Sequence, residues 1–400
     1  MLRKIISGFV LILIAYSCIE PYSLNIDGYD NLLVVDALIT DENVAHTVLL
    51  RRSTTNIEEE SPYESGASVY VTNATGQQYY FAEFSPGTYK SDSTELIVKQ
   101  GDKFTLHIQT SDGNTYQSDE CEILAKTEID KVYFSKNTEW DENDEYENVG
   151  ISIYVDGSAS ESAYVRWKYE EDWKFKTPFP ERYAFDEDEE LVELPIENYY
   201  CWKHNSSNNI NVYSFGDQVG GNINSREINF ITTGLNDRLT IRYSINVKQL
   251  SISREEYEYW RKLSESTEAV GDVFAKQPFS LVGNIQNLND ESEPVLGYFQ
   301  TGSVVSKRLY INTDDIKDFD VPMYSIYDNC SLDTATVDGI TYNTIYEVYV
   351  GKVVNGNWNF YDPIYDEMGF SVVAMLLSSQ ICSDCTVRGA INPPNFWEEE

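Results

Sequence analysis

The chain runs to 400 residues, 42 % of them hydrophobic and 14 % aromatic, with 66 acidic against 29 basic side chains and a formal net charge of −37. A surface this acidic excludes nucleic acid and anionic membrane faces as partners, because both are gripped through Lys/Arg footprints. The length predicts two or three domains, and 30 tyrosines fit folded, strand-rich modules better than a flexible stalk.

The first eighteen residues carry the strongest local signal. Arg3 and Lys4 form a positive n-region, and Ile5 to Ala15 form an apolar h-region. As a helix that run spans roughly 16 Å against a hydrocarbon core of about 30 Å, which makes a stable membrane span the weaker reading. Ala15 and Ser17 place small residues at the third and first positions before Cys18. The pattern resembles a bacterial lipoprotein signal: residues 1–17 are removed, Cys18 is lipidated, and residues 18–30 serve as a tether. Tyr16 is bulky for that spacing, and an ordinary cleaved secretory signal is the competing reading. Acyl chains contribute about 0.8 kcal/mol per buried CH₂, so several of them anchor a protein without a span. No later apolar run is long enough to cross a membrane; the best, Phe370 to Leu377, reads as a strand-length segment.

Residues 31–126 are predicted to form an Ig-like or prealbumin-like β-sandwich. Asn31 to Leu38 is a largely apolar run, and Ala67 to Val71 leads through Asn73-Ala-Thr-Gly76 into Gln78 to Ala82 as a hairpin. Lys103 to Gln109 alternates, with Phe104, Leu106 and Ile108 on one side, and Asp112-Gly113 turns the chain into Thr115 to Ser118. Short strands with turns at this spacing indicate a sandwich. The order Gly66-Ala67-x-Val69, Gly87-x-Tyr89, Gly101-x-x-Phe104 resembles prealbumin-like and carboxypeptidase-regulatory-like domains.

Residues 127–400 are predicted to form a larger β-rich domain with a helical insertion near 253–274, giving a mainly β chain. Strands are expected at Glu128–Phe134, Ile151–Val155, Tyr164–Tyr169 and Ile228–Thr232, interrupted by a polar insertion at 173–198. Leu239 to Lys248 alternates cleanly. The helix begins at Ser253, with Glu256 three residues on as a capping box and Ile252 with Tyr257 as a hydrophobic staple. Tyr257, Trp260 and Leu263 then recur at helical spacing, as for a helix packed on a sheet. Further strands are expected near Leu296–Val304, Lys307–Ile311 and Thr344–Val350.

Beyond Cys18 there are Cys121, Cys201, Cys330, Cys382 and Cys385. In an oxidising compartment disulfides are expected, and an odd count leaves one thiol over. Cys121 stands apart and is the candidate for it. Cys201, Cys330, Cys382 and Cys385 are the disulfide candidates, with three possible connectivities. Cys382-Ser-Asp-Cys385 also admits a redox or zinc reading, but no helix start follows it and no second ligand pair accompanies it. The acidic runs Asp141–Glu145 and Asp186–Glu190 lack the alternating ligands and glycine of a calcium loop and read as solvated loops. No metal or cofactor is called for.

Three histidines, His46, His107 and His204, are scattered over predicted strands. No nucleophile elbow, zinc-protease helix or phosphate loop is present, and no catalytic set is assigned. A carboxylate pair remains the only enzymatic alternative, and 66 acids make any chosen pair uninformative.

Several strings taken in order resemble a known family. They are Cys18-Ile-Glu-Pro-Tyr22, Val34-Val-Asp-Ala-Leu-Ile-Thr-Asp-Glu42, Ser253-Arg-Glu-Glu-Tyr-Glu-Tyr-Trp260, Gln277-Pro278, Gly283-Asn-Ile285, Gly297-Tyr-Phe299 and Cys382-Ser-Asp-Cys385 with Pro394-Asn-Phe-Trp397. Together they are similar to the Bacteroidota lipoproteins of domain-of-unknown-function family 4249. The resemblance implies an outer-membrane lipoprotein, lipid-anchored through Cys18, with the periplasmic or surface face undetermined. It also implies a TonB-dependent transporter as partner. The expected role is a non-enzymatic binding or accessory module. The alternatives are a cell-surface adhesin or glycan-binding protein and, second, a carboxylate-dependent hydrolase.

Overall fold

The computed structural model describes residues 31–54, 60–140, 147–159, 164–216, 221–234, 236–268, 281, 283–320, 326–337 and 342–399. The signal, the tether and Cys18, the Asp141–Glu145 run, Gln277-Pro278 and the end of the expected helix lie outside these residues. The fold is mainly β, and the chain divides into two compact units.

The first unit is built on one ten-stranded sheet. Its strands are β1 (Leu33–Thr40), β2 (Thr47–Arg52), β3 (Ser68–Asn73), β4 (Gln78–Ser85), β5 (Thr88–Ser91), β6 (Lys103–Gln109), β7 (Thr115–Ser118) and β8 (Cys121–Glu122). The expected alternation holds along β6, where Phe104, Leu106 and Ile108 are buried, and Leu33, Val35 and Ala37 do the same on β1. The Asp112-Gly113 turn joins β6 to β7, pairing Ile108 with Tyr116.

Two further strands of this sheet arrive from far along the chain. Past the second unit's strands β9 (Glu128–Trp140), β10 (Glu147–Ala159), β11 (Tyr164–Lys176), β12 (Tyr183–Phe185), β13 (Leu191–Glu193), β14 (Tyr200–Ser206), β15 (Asn211–Ser214), β16 (Gly221–Thr232) and β17 (Arg242–Ser251) come β18 (Ile285–Asn287) and β19 (Leu296–Gly302). β18 pairs with β7 and β19 with β1, so the two strands occupy opposite ends of the sheet. Those ends meet: the Asn284 side chain donates to the carbonyl of Phe299 and accepts from its N–H, both at 2.9 Å. The sheet is therefore rolled on itself. The first unit thus takes in the described residues between 281 and 301, which close the roll, while residues 99–101 and 123–126 of the expected 31–126 domain belong to the second unit. Gly283 and Gly297 sit at the closure. A Cβ on Gly283 would collide with the Gly297 carbonyl, and one on Gly297, at φ +92°, with the Val35 carbonyl.

Among the described residues the second unit holds three sheets. β16, β10 and β9 make one; β14, β11, β17 and β20 (Val304–Asn312), with β15 beside β11, make another. Their facing sides share a core that includes Ile151, Ile153, Ile228, Trp167, Phe175, Tyr243 and Ile245. The third sheet runs β13, β12, β22 (Trp358–Tyr365), β23 (Val372–Ser379) and β21 (Asp333–Thr336) around Phe360, Met375 and Leu377. The stretch expected as a polar insertion thus begins as the end of β11 and continues as the β12–β13 hairpin. Phe370–Leu377 falls largely within β23, and among the described residues no helix is long and apolar enough to cross a membrane.

The predicted helix is Arg254–Glu268. Ser253 caps it, its Oγ accepting the Glu256 N–H at 3.1 Å. Glu256 itself is buried and accepts the indole N–H of Trp260, while Tyr257 stacks on Tyr164 at 4.8 Å. One expected strand is a helix instead: Thr344 caps Ile345–Tyr349 through the Glu347 N–H. Its β-branched residues have the composition of a strand, but Val348 is the residue buried against the third sheet, and the Thr-x-x-Glu spacing satisfies the first turn.

Candidate functional site

The site follows from register. β11 is flanked by β14 and β17, and successive side chains of a strand point to opposite faces. Asp172 lies opposite His204, and Glu171 lies opposite Asn205. The two adjacent acids, both about 2 % exposed, therefore serve opposite faces of the sheet.

Glu171 belongs to the core-facing side. One carboxylate oxygen accepts the Tyr243 hydroxyl at 2.7 Å and the Asn229 amide at 3.2 Å, and lies 3.3 Å from Arg238 Nε; the other accepts the Asn205 amide at 2.8 Å. The charge is thus held by four donors. Burial and the adjacent Glu171 charge lift the Tyr243 phenol well above its ordinary range and push Tyr169 up to about 12, so both stay neutral donors. Asn205, Asn208, Asn229, Asn236 and Arg238 border a polar recess of about 230 Å³ over this network.

Asp172 faces the other way. Its Oδ1 lies 2.8 Å from His204 Nδ1, and its Oδ2 lies 3.6 Å from an Arg308 nitrogen that also donates to Ser244 Oγ at 2.7 Å. Among the described residues Oδ2 accepts no hydrogen bond, and the buried Nε1 of Trp202 donates none. Both residues border a cavity of about 390 Å³, with His204, Arg388, Asn392 and Pro394 on its rim. That volume falls in the range of sites that hold small molecules.

The far wall is stapled in place. Cys201, one residue before Trp202, bonds to Cys385, and Cys330 bonds to Cys382. Trp202 and Ala390 exchange two backbone hydrogen bonds, at 2.8 and 2.9 Å. Gly389 permits this approach: a Cβ there would stand 2.6 Å from the Trp202 carbonyl and 2.7 Å from the Phe175 ring. Cys121 belongs to neither bridge; its Sγ lies 3.2 Å from Asn284 Nδ2 in the first unit.

The other residues singled out from the sequence lie elsewhere. His46 is buried in the first unit, where desolvation lowers its pKa, and His107 stacks on Tyr70 at 4.7 Å with its pKa lowered for the same reason. Asp186 accepts the backbone N–H groups of Asp188 and Glu190, closing a turn. Among the described residues no three His, Cys, Asp or Glu side chains are placed to hold a metal. His204 is one of the histidines visible in the sequence, but no motif there assigns Asp172, Glu171 or Trp202 to a site. Val165, Trp167, Tyr169, Trp173 and Phe175 mark one buried face of β11, and Glu171 is the exception in that row. An acid in an otherwise apolar row signals a buried, paired carboxylate.

Chemically, the cavity offers an aromatic wall, a buried carboxylate acceptor, an imidazole and a guanidinium. Such a set binds hydroxyls and polar groups beside an apolar surface. Comparison with known proteins returned no match among curated proteins. The family described as "Domain of unknown function (DUF4249)" matches residues 19–308, which include β11 and β14 but not the 385–394 wall. The matched stretch covers well over half of the sequence, and the chain belongs to the DUF4249 family.

Proposed function

We propose that this chain is a lipid-anchored binding protein of the outer membrane, which holds a small polar ligand in the Asp172–Trp202 cavity and works beside a TonB-dependent transporter. The observation that carries the binding role is a cavity lined by Asp172 and Trp202, each of which holds a buried polar atom, Oδ2 and Nε1, without a hydrogen-bond partner among the described residues. A buried polar atom without a partner is costly, and a ligand that pairs with it recovers that cost on binding. The Cys201–Cys385 bridge supports the same reading by holding the walls in position before any ligand arrives, which limits the ordering that binding demands. The anchor and the transporter rest on the signal-like residues before Cys18 and on the family resemblance.

The same chemistry favours a glycan as ligand. A sugar ring presents C–H groups to an indole face and paired hydroxyls to a carboxylate, and Trp202 and Asp172 supply those two elements side by side. In this reading the role is non-enzymatic, and the adjacent acids Glu171 and Asp172 serve opposite faces of the sheet.

Affinity purification from outer membranes, with the protein at endogenous levels, tests the partnership. Co-purification of a TonB-dependent transporter is expected, and recovery of the protein without one contradicts it.

A further inference from the structure

We propose that the face of β11 bearing Asp172, together with the adjoining rows of β14, β17 and β20, is a docking surface for an acidic, aromatic peptide segment of a partner protein, and that the chain's own Phe396–Glu399 is its resident occupant.

In a protein of net charge −37, this face gathers cations. Lys174 and Arg242 are direct register partners across β11 and β17. Arg242 in turn lies opposite Asn312 on β20, and Arg308, four residues before Asn312, shares its side of that strand. Aromatic rings from the flanking strands, Trp202 and Tyr310, stand among them. A basic, aromatic surface on an otherwise acidic molecule is complementary to a segment that couples rings to carboxylates.

The resident segment reads out that specificity. Glu399 pairs with Lys174 at 2.7 Å. The centroid of the Phe396 ring lies 3.5 Å from the Arg308 guanidinium, and the Phe396 carbonyl accepts the Tyr310 hydroxyl at 3.1 Å. Trp397 meets Trp202 and Tyr310 edge-on, with ring centroids 6.2 and 6.0 Å away. The seat thus recognises two consecutive rings followed by a carboxylate.

The fit is incomplete. The Trp397 Nε1 is buried without a hydrogen-bond partner among the described residues, and Phe396 remains 39 % exposed. A cavity of about 390 Å³ lies beside Glu399, bordered by Arg242, Asn312 and Asp314. A partner strand that fills this space and gives the indole an acceptor displaces the resident one. Trp202 carries Trp397 on this surface and also lines the Asp172–Trp202 cavity, so the two sites adjoin.

The test uses the full chain and a labelled peptide with the resident sequence Asn-Phe-Trp-Glu-Glu, followed by fluorescence anisotropy. In Phe396→Ala/Trp397→Ala the seat is released, and the peptide is expected to bind at least about tenfold more tightly than to the wild type, because self-occupancy lowers apparent affinity. Adding Arg308→Glu to the released variant, or replacing both peptide glutamates by lysine, should abolish the gain. Raising salt from about 0.05 to 0.5 M should weaken it. A folded, released variant that binds the peptide no better than wild type overturns the proposal. So does one that binds the lysine peptide equally, or that gains affinity for a polyuronate and not for the peptide. Should the double variant not fold, Glu399→Lys in the intact chain must show the same direction of change, and its failure to do so is equally decisive.

Discussion

Asp172 and His204 face each other across β11 and β14, Oδ1 2.8 Å from Nδ1, with the carboxylate buried and the imidazole on the cavity rim. The other ring nitrogen of His204, Nε2, is turned toward Ser206. Ser206 Oγ lies 3.4 Å from that nitrogen, so the three side chains follow the order of an acid–histidine–serine relay. The last contact is long, and Ser206 lies exposed at the end of an edge strand.

The binding role therefore predicts that Ser206 is not an activated nucleophile. A fluorophosphonate probe is expected to leave the protein unlabelled. Labelling that disappears in Ser206→Ala would contradict the non-enzymatic reading.

The bridges make a second prediction. Cys201–Cys385 closes a separation of 184 residues and Cys330–Cys382 one of 52. By chain entropy alone, losing the longer bridge costs up to about 5 kcal/mol, with roughly 2–5 typical of removed native disulfides. Cys201→Ser/Cys385→Ser should lower the melting temperature and weaken ligand binding at Trp202. Peptide mapping without reductant should recover these two pairs and an alkylated Cys121; a Cys382–Cys385 bridge would refute the pairing.

The closure of the first sheet gives a third. Gly297→Ala forces a Cβ against the Val35 carbonyl at positive φ, and a loss of at least about 2 kcal/mol is expected in denaturant unfolding. Gly76→Ala is the control. Its φ is also positive, at +83°, but no atom stands within 4 Å, so only the conformational cost of about 1–2 kcal/mol applies. Equal losses at both positions would argue against the close approach.

Glu256 gives a prediction in pH. Burial pushes its pKa up to about 7 from 4.5, against the pull of Arg166 and of the Trp260 N–H. Between those two values the folded state holds a proton that the unfolded state has released. Stability contributed by this group is present below about pH 4.5 and falls as pH rises to about 7, by on the order of 3 kcal/mol. Glu256→Gln should flatten that part of the stability profile and raise stability at about pH 8. An unchanged profile would place the charged carboxylate in a more solvated setting.

Much of this architecture is legible in the sequence, and the losses have physical causes. The alternation of Phe104, Leu106 and Ile108, the Asp112-Gly113 turn and the Ser253 cap are local signals, and each lies where its pattern places it. Thr344–Val350 misleads because a β-branched run packs equally well on a helix face, and contact with the third sheet decides the outcome. β18 has only three residues, and β19, although expected as a strand, lies too far in sequence from β1 for pattern alone to pair the two. The site itself is a matter of register: Asp172 and His204 are 32 residues apart, and only the antiparallel alignment of β11 with β14 makes them neighbours.

The proposed role turns on binding of a small polar ligand in the Asp172–Trp202 cavity. Titration of the purified protein against a panel of mono- and oligosaccharides, followed by calorimetry and repeated on Trp202→Ala and Asp172→Asn, tests it most directly. Saturable binding of at least one sugar is expected, lost in both variants while their folds remain intact. Saturable binding that survives both substitutions, or no binding by the wild type, would contradict it.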